Sequence, residues 1–233
     1  CRTLWELFSD ADWSSTRYPW RIYKGNKLVC KDYRHLTDDD KTLTTDDHFK
    51  LMNEVVVTIK MDGENTTIYP DGFIHARSLD GYGKEWQKEV KAISSEWFWK
   101  IPERLRICGE NLQAKHSIGY EFNNRKDLFQ AFGIYDELNC LGWDETKEIC
   151  SDLGISMVHE IYRGKYDKDK ILELFFEYVE SIKPQEVEGF VVRNVDSFSY
   201  CDFSKNVGKY VRKNHIQTDE HWTRNWTNNK IKS

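Results

Sequence analysis

Lys60 has the setting of a reactive group. It closes the run Glu54-Val55-Val56-Val57-Thr58-Ile59 and is followed by Met61-Asp62-Gly63. A β-branched run of that kind reads as a buried strand. A lysine at the end of such a strand is partly desolvated. Desolvation disfavours the ammonium, so the expectation is an amine with a lowered pKa. A neutral lysine is a nucleophile. Asp62-Gly63 then supplies a sharp turn and a carboxylate beside the amine. Alone the pattern is weak. Its three fixed positions recur by chance in roughly one chain of this length in fifteen to twenty, and a surface lysine entering a turn would look the same.

Further motifs follow Lys60 in order. Asn65 stands five residues on, and Arg77 sits in Ala76-Arg77-Ser78. Gly109-Glu110-Asn111-Leu112 follows the strand-like Leu105–Cys108. Phe129-Gln130-Ala131-Phe132-Gly133-Ile134-Tyr135-Asp136 is an aromatic strand. Glu188-Gly189-Phe190-Val191-Val192-Arg193 places a carboxylate just ahead of an apolar run, and Lys209 lies in the basic stretch Gly208-Lys209-Tyr210-Val211-Arg212-Lys213. Val57-Thr58-Ile59-Lys60 also has the look of a protein kinase's strand lysine. That reading needs a glycine-rich loop upstream and H-R-D and D-F-G downstream. Asp202-Phe203 is followed by Ser204, and the kinase is rejected.

Taken together, these motifs resemble the covalent nucleotidyltransferase superfamily of RNA ligases, DNA ligases and mRNA capping enzymes. Within it the chain looks most like the phage-type ATP-dependent RNA ligases, over about residues 54–213. The resemblance implies that Lys60 attacks the α-phosphate of ATP and carries AMP, that AMP passes to a 5′-phosphate end, and that a 3′-hydroxyl then displaces it to seal the strand. Each step is an in-line attack at phosphorus, so catalysis is positioning and charge neutralisation. The implied roles follow the motifs. Asp62, Gly63 and Asn65 belong to the nucleotide site, Arg77 contacts phosphate or the RNA end, and Glu110 holds the ribose hydroxyls. Phe132 is the purine platform, and Glu188 assists Mg2+ (or Mn2+) near the α-phosphate. Lys209, with Arg212 or Lys213, supplies cations to the phosphates. Two positions depart from the family pattern. Phe132 is followed by Gly133 where RNA ligases usually carry aspartate, and Val211 stands where a second lysine usually follows Lys209. A DNA ligase, a GTP-using capping guanylyltransferase and a non-catalytic nucleic-acid-binding relative share most of these features and stay open as alternatives.

The elements that must position these residues are mixed. Thr66–Tyr69 and Phe73–Arg77 flank Pro70-Asp71-Gly72, a hairpin signal. Trp86, Val90, Ile93 and Trp97 share one helical face, ended by Pro102. Strands are predicted at Leu105–Cys108 and Leu128–Tyr135 around a loop at 111–124, and again at Val187–Arg193 and Val207–Arg212. A helix over 144–153 is closed by Gly154. A second is capped by Asp167, with Leu172, Phe175, Phe176 and Val179 on one face. There is no regular βαβ alternation. The expected fold class is α+β, a nucleotidyltransferase (ligase adenylation) fold of antiparallel sheets flanked by helices. The expected organisation is a single domain, with an N-terminal extension (1–53) packed on a core (54–213) and a short tail or helix (214–233). The 20 residues after Lys213 are too few for the five-stranded oligonucleotide-binding barrel that DNA ligases and capping enzymes append.

Composition sets outer bounds. With Lys+Arg 34 against Asp+Glu 39 the net charge is −5, which excludes a binder that relies on bulk positive charge but permits a local basic cleft. An aromatic content of 14% separates the chain from disordered sequences. Trp13, Tyr18, Trp20 and Tyr23 alternate with Arg17, Arg21 and Lys24, a segment expected to pack on the core, with stacking on RNA as the alternative. No apolar run is long enough to span a membrane. The six cysteines include no C-x-x-C and read as reduced thiols. A cytoplasmic monomer acting on RNA is the expectation.

Overall fold

The computed structural model describes residues 22–24, 27–30, 47–76, 84–182, 187–211 and 226–232. Strands β1 (Ile22–Lys24) and β2 (Lys27–Cys30) form an antiparallel hairpin, and a single turn of helix, α1 (Asp47–Lys50), follows. The chain then builds two sheets that share one junction. The first contains β3 (Val55–Lys60), and the second begins with β4 (Glu64–Ile68). Only Met61-Asp62-Gly63 separates them.

The second sheet continues with β5 (Ile74–His75), β6 (Leu105–Asn111), β8 (Phe129–Asp136), β9 (Asn139–Cys140) and β12 (Phe198–Ser199), in the spatial order β12-β9-β8-β6-β4-β5. Strand β7 (Glu121–Phe122) lies outside it. The first sheet adds β10 (Glu160–Gly164), β11 (Gly189–Asn194) and β13 (Val207–Val211), in the order β10-β3-β11-β13. Every pairing within these two sheets is antiparallel, as the sequence led one to expect.

Alternation along β3 assigns the two faces of the first sheet. Val55, Val57 and Ile59 pack with Phe190, Val192, Ile171 and Phe175 under helix α4 (Lys168–Ser181). Val56 points the other way, into a cluster with Trp143, Val158 and Val195 that also takes in Phe132 and Met157 from the second sheet's side. The far face of the second sheet buries Ile68, Ile107, Phe129, Ala131 and Ile134 against Val90 of α2 (Lys88–Ser94) and Cys150 of α3 (Trp143–Leu153). A short helix, α5 (Phe203–Asn206), precedes β13.

Local signals explain most boundaries. The Asp167 carboxylate accepts the Lys170 N–H, and Gly154 closes α3 in the left-handed region at φ 69°. At the hairpin, the Gly72 N–H donates to the Tyr69 carbonyl and the Asp71 carboxylate accepts the Phe73 N–H. Two expectations are corrected. The helix over 86–97 is broken: residues 85–87 are 3-10, α2 stops at Ser94, and Trp97 lies beyond it. The hydroxyls of Ser94 and Ser95 donate to the carbonyls of Lys91 and Ala92 and compete there with backbone donors. Phe176 is 51% exposed while Ile171 and Phe175 are buried, because a helix lying on one sheet buries a single stripe.

Residues 226–232 run extended. Lys230 and Ile231 form β14, which pairs in parallel with Glu121 and Phe122 of β7. Arg77, Arg212, Lys213 and the aromatic–basic residues 13–21 lie outside the described residues.

Candidate functional site

The site forms where the two sheets meet. Lys60 ends β3, and Gly189 of β11 is its cross-strand partner, so the chain enters β11 through Glu188 right beside the amine. The Lys60 ammonium donates to Oε2 of Glu188 at 2.6 Å. The lysine side chain keeps 23% of its surface exposed and the glutamate 8%, so a ligand has access to the lysine while its partner is fixed. Gly189 makes the register possible: a Cβ there would lie 1.9 Å from the Tyr210 carbonyl oxygen on β13.

Electrostatics around Lys60 differ from the sequence expectation. Burial does pull its pKa down. The opposing charges of Glu188, Glu110 and Asp62, together with the Glu188 hydrogen bond, outweigh that effect, and the Lys60 pKa stands above its ordinary value. At rest Lys60 is therefore an ammonium held by carboxylates. A residue-type argument could count the burial and Asp62, but not Glu110 and Glu188, which the fold brings in from separate segments.

The turn after Lys60 is held from several sides. The Asp62 N–H donates to the Tyr120 hydroxyl at 2.9 Å, and the Asp62 carboxylate accepts the Ile118 N–H at 2.8 Å. His116 has Nδ1 4.0 Å from Asp62 Oδ1. The Gly63 N–H donates to Oε1 of Glu110 at 3.1 Å. Gly63 is required by close approach, since a Cβ would meet the Asn111 carbonyl oxygen at 2.5 Å and Leu112 at 2.8 Å.

Glu110 lies near the end of β6, paired with Asn65 on β4 and Gln130 on β8. Directly opposed residues share a face, so Asn65, Glu110 and Gln130 form one row. Burial raises the Glu110 pKa to about 7, with Lys60 working the other way and Glu188 and Asp62 adding to the rise. Next to this row β8 carries a bulge. Cys108 pairs with Gly133 and Gly109 with Ala131, so Phe132 is the extra residue of the bulge. Bulges re-aim side chains. Phe132 lies half-buried between two apolar clusters, and its carbonyl accepts from Arg193 at 3.3 Å.

On the first sheet, Val191 pairs with Thr58 on one side and Lys209 on the other. Thr58, Lys209 and Lys60 therefore share a face, with Lys209 about 7 Å along and about 10 Å across from Lys60. Of the residues singled out in the sequence, the structure gathers Lys60, Asp62, Gly63, Glu110 and Glu188 at one junction, with Lys60 bonded to Glu188 and Gly63 to Glu110, and sets Asn65 in register with Glu110. Lys209 stands on the same face as Lys60, and Phe132 lies at the bulge beside the Glu110 row.

Several contributors carried no sequence signal. Tyr120 sits in a segment read as loop. Glu64, the first residue of β4, accepts hydrogen bonds from the Trp86 indole at 2.8 Å and the Gln87 amide at 2.9 Å. Arg193, by contrast, closes the motif that opens with Glu188; it is buried, lies over the Trp143 ring at 5.1 Å and donates to the Leu141 carbonyl at 2.8 Å. Among the described residues, no group of three or more His, Cys, Asp and Glu side chains is arranged to hold a metal ion. Nor is any helix among them long and apolar enough to cross a membrane.

Comparison with solved structures finds the same fold. An archaeal ATP-dependent RNA ligase aligns with a TM-score of 0.53 at 18% identity, over 74% of this chain and 46% of that one. A mutant Naegleria gruberi RNA ligase with ATP and Mn aligns with a TM-score of 0.52 at 16% identity, over 78% of this chain and 57% of that one. The chain thus spans about half the length of these relatives. No curated protein sequence matches it. The RNA ligase family model matches residues 53–211, a stretch that opens just before β3 and closes with β13 and so takes in both sheets around the Lys60 turn. By that match, this chain belongs to the RNA ligase family.

Proposed function

We propose that this protein is an ATP-dependent RNA ligase that joins 5′-phosphate and 3′-hydroxyl RNA ends through a lysyl-AMP intermediate. The observation that carries the reading is the contact between Lys60 and Glu188 at the sheet junction, with Glu110 bound to the same turn. The Lys60 ammonium must first lose a proton, and Glu188 Oε2 is the acceptor at hand. The freed amine attacks the α-phosphorus of ATP, a P–N bond forms, and the bond to pyrophosphate breaks. A 5′-phosphate oxygen of the RNA then takes AMP from Lys60, forming a phosphoanhydride as the P–N bond breaks. Finally the 3′-hydroxyl oxygen attacks the 5′-phosphorus, loses its proton and releases AMP.

In this reading Asn65 and Glu110 bind the sugar side of the nucleotide, Phe132 supports the base, and Lys209 faces the phosphates. Arg77 and Arg212 keep the phosphate roles that the family resemblance implies. One lysine among three carboxylates leaves the site locally negative, and oxygen donors of this kind suit Mg2+ or Mn2+, which keep most of their own waters. Glu188 is the residue proposed to hold such an ion. When bound, the ion supplies neutralisation of charge at the phosphates. The free thiols of Cys108, Cys140, Cys150 and Cys201 support a cytoplasmic location, and a single copy carries every residue of the proposed site, which supports a monomer.

The test is incubation with α-labelled ATP or GTP and Mg2+, followed by a denaturing gel. Label from ATP should stay on the protein and be absent in Lys60→Ala. It should then pass to 5′-phosphorylated nicked RNA in preference to DNA. Undiminished labelling of Lys60→Ala would remove the assignment, and transfer from GTP alone would point to capping chemistry.

A further inference from the structure

The Lys60 turn is fastened by a residue almost at the far end of the sequence. Asn229 is 8% exposed, and its side chain makes three hydrogen bonds. Its Oδ1 accepts the Tyr120 N–H at 2.8 Å, and its Nδ2 donates to the carbonyls of Leu112 at 2.8 Å and Ala114 at 3.3 Å. One amide thereby ties both ends of the loop that leaves β6 after Asn111 and returns at Tyr120. Main-chain bonds on either side complete the clasp: Lys115 N–H to the Thr227 carbonyl at 2.7 Å, Asn229 N–H to Gln113 at 2.9 Å and Lys230 N–H to Tyr120 at 3.0 Å. The same loop holds Asp62 at two points, through the Tyr120 hydroxyl and the Ile118 N–H. A continuous path of hydrogen bonds therefore runs from Asn229 through Tyr120 to the main chain two residues beyond Lys60.

We infer that Tyr120 and Asn229 are positioning residues for the lysine turn: the clasp of residues 227–231 on the loop 113–122 fixes Asp62, and through it the direction of the Lys60 amine. The inference deepens the adenylylation reading and rests on it for its activity readout. The phenol is suited to the task. Burial, with the Asp62, Glu188 and Glu110 charges adding, holds its pKa well above the ordinary value, so its oxygen remains a neutral acceptor for the Asp62 N–H across the working pH range. The Tyr120 ring packs with Ile118, Phe122 and Leu128, so Tyr120→Phe keeps the packing and removes only the hydroxyl.

Hydrogen–deuterium exchange over residues 60–64, without nucleotide, tests the geometry. In Tyr120→Phe this segment should exchange about tenfold faster while the melting temperature changes little. Asn229→Ala should speed the same segment, and the double variant should be little faster than the worse single one, because the two act in series. Lysyl-adenylate formation in Tyr120→Phe should fall about tenfold in kcat with KM for ATP unchanged, as a misaimed nucleophile requires. Wild-type exchange at 60–64 in Tyr120→Phe, or additive effects of the two substitutions, overturns the clasp. Absence of adenylylation in the wild-type protein instead overturns the functional reading, and the exchange arm still decides the clasp.

Discussion

The carboxylate of Glu188 meets the Lys60 ammonium at 2.6 Å although the two stand 128 positions apart in the chain. The pairing follows from register alone: β11 runs antiparallel to β3 with Gly189 opposite Lys60, so any chain entering β11 must pass the lysine. Replacing the partner separates two effects. Glu188→Gln keeps the shape and removes the charge, so burial is left to act on Lys60 with less opposition and the lysine pKa falls. Adenylylation should drop by about 10²–10³-fold because a group at the reacting centre is lost. The rising limb of its pH profile, set by loss of the lysine proton, should move to lower pH.

Stability carries the same sign. A lysine whose folded-state pKa lies above its ordinary 10.5 contributes stability that is fully present below that value and is lost as pH rises through the folded-state pKa. Glu188→Gln should therefore cost about 1–2 kcal/mol near pH 8, below the usual figure for a fully buried pair because Lys60 is partly solvated. The cost should shrink as pH rises from 10.5 through the folded-state value. Urea unfolding at pH 8 and at a series of pH values above 10.5 measures it, and a cost that stays constant across the whole series would contradict the pairing.

Glu110 titrates in the opposite sense to an ordinary salt-bridged acid. Its pKa is raised from 4.5 to about 7, so between these values the folded protein holds a proton that the unfolded chain has released. Stability from this group is present below 4.5 and is lost as pH rises through 7. Glu110→Gln keeps a carbonyl oxygen for the Gly63 N–H and abolishes the titration. Relative to wild type, the variant should gain about 2–3 kcal/mol between pH 4.5 and pH 8. Thermal unfolding of both proteins across that range checks the slope.

The two glycines at the junction differ in what they protect. A Cβ at residue 63 would meet backbone of Asn111 at 2.5 Å as well as two side chains, so the turn must move by a fraction of an ångström. Gly63→Ala should cost about 1–3 kcal/mol and lower adenylylation by about 10²-fold. At Gly189 the obstacle is the Tyr210 carbonyl at 1.9 Å, which lies inside the β11–β13 ladder. Gly189→Ala should part these strands and cost upward of about 3 kcal/mol. Circular dichroism melting separates the two: a folded, poorly active Gly63→Ala beside a grossly destabilised Gly189→Ala.

Legibility in the sequence tracked how local each signal was. Val55–Ile59 and Phe190–Val192 read as strands because their burial comes from a run of β-branched and aromatic residues, and Asp167 and Gly154 read as caps because capping is a short-range hydrogen-bond problem. Strand β10 was not foreseen. Glu160-Ile161-Tyr162-Arg163-Gly164 lies half-buried at a sheet edge, where no alternation marks it, and is defined by its pairing with β3. Lys60, Glu110 and Glu188 were found through their motifs. Tyr120, Asn229 and Glu64 were not, since each matters only for the partner the fold delivers to it. The lysine's raised pKa failed from sequence for the same reason.

Phe132 gives the sharpest separation of packing from function. It is the extra residue of the β8 bulge, and Arg193 on β11 holds it by donating to its carbonyl at 3.3 Å and to the Leu141 carbonyl at 2.8 Å. The ring touches apolar clusters on both sides, so its removal costs stability whatever it does for a nucleotide. Phe132→Ala should lose about 2 kcal/mol, less than a fully buried phenylalanine because the ring is only partly covered. Phe132→Leu should recover most of that, since volume and hydrophobicity are nearly kept. If the ring is the surface on which the adenine rests, Leu will not restore nucleotide binding, because a branched aliphatic side chain offers no flat π face. The expected pattern is a near-normal melting temperature in Phe132→Leu together with a KM for ATP raised about tenfold, a loss of about 1–1.5 kcal/mol. A Phe132→Leu protein with wild-type KM would assign the aromatic residue to the core alone.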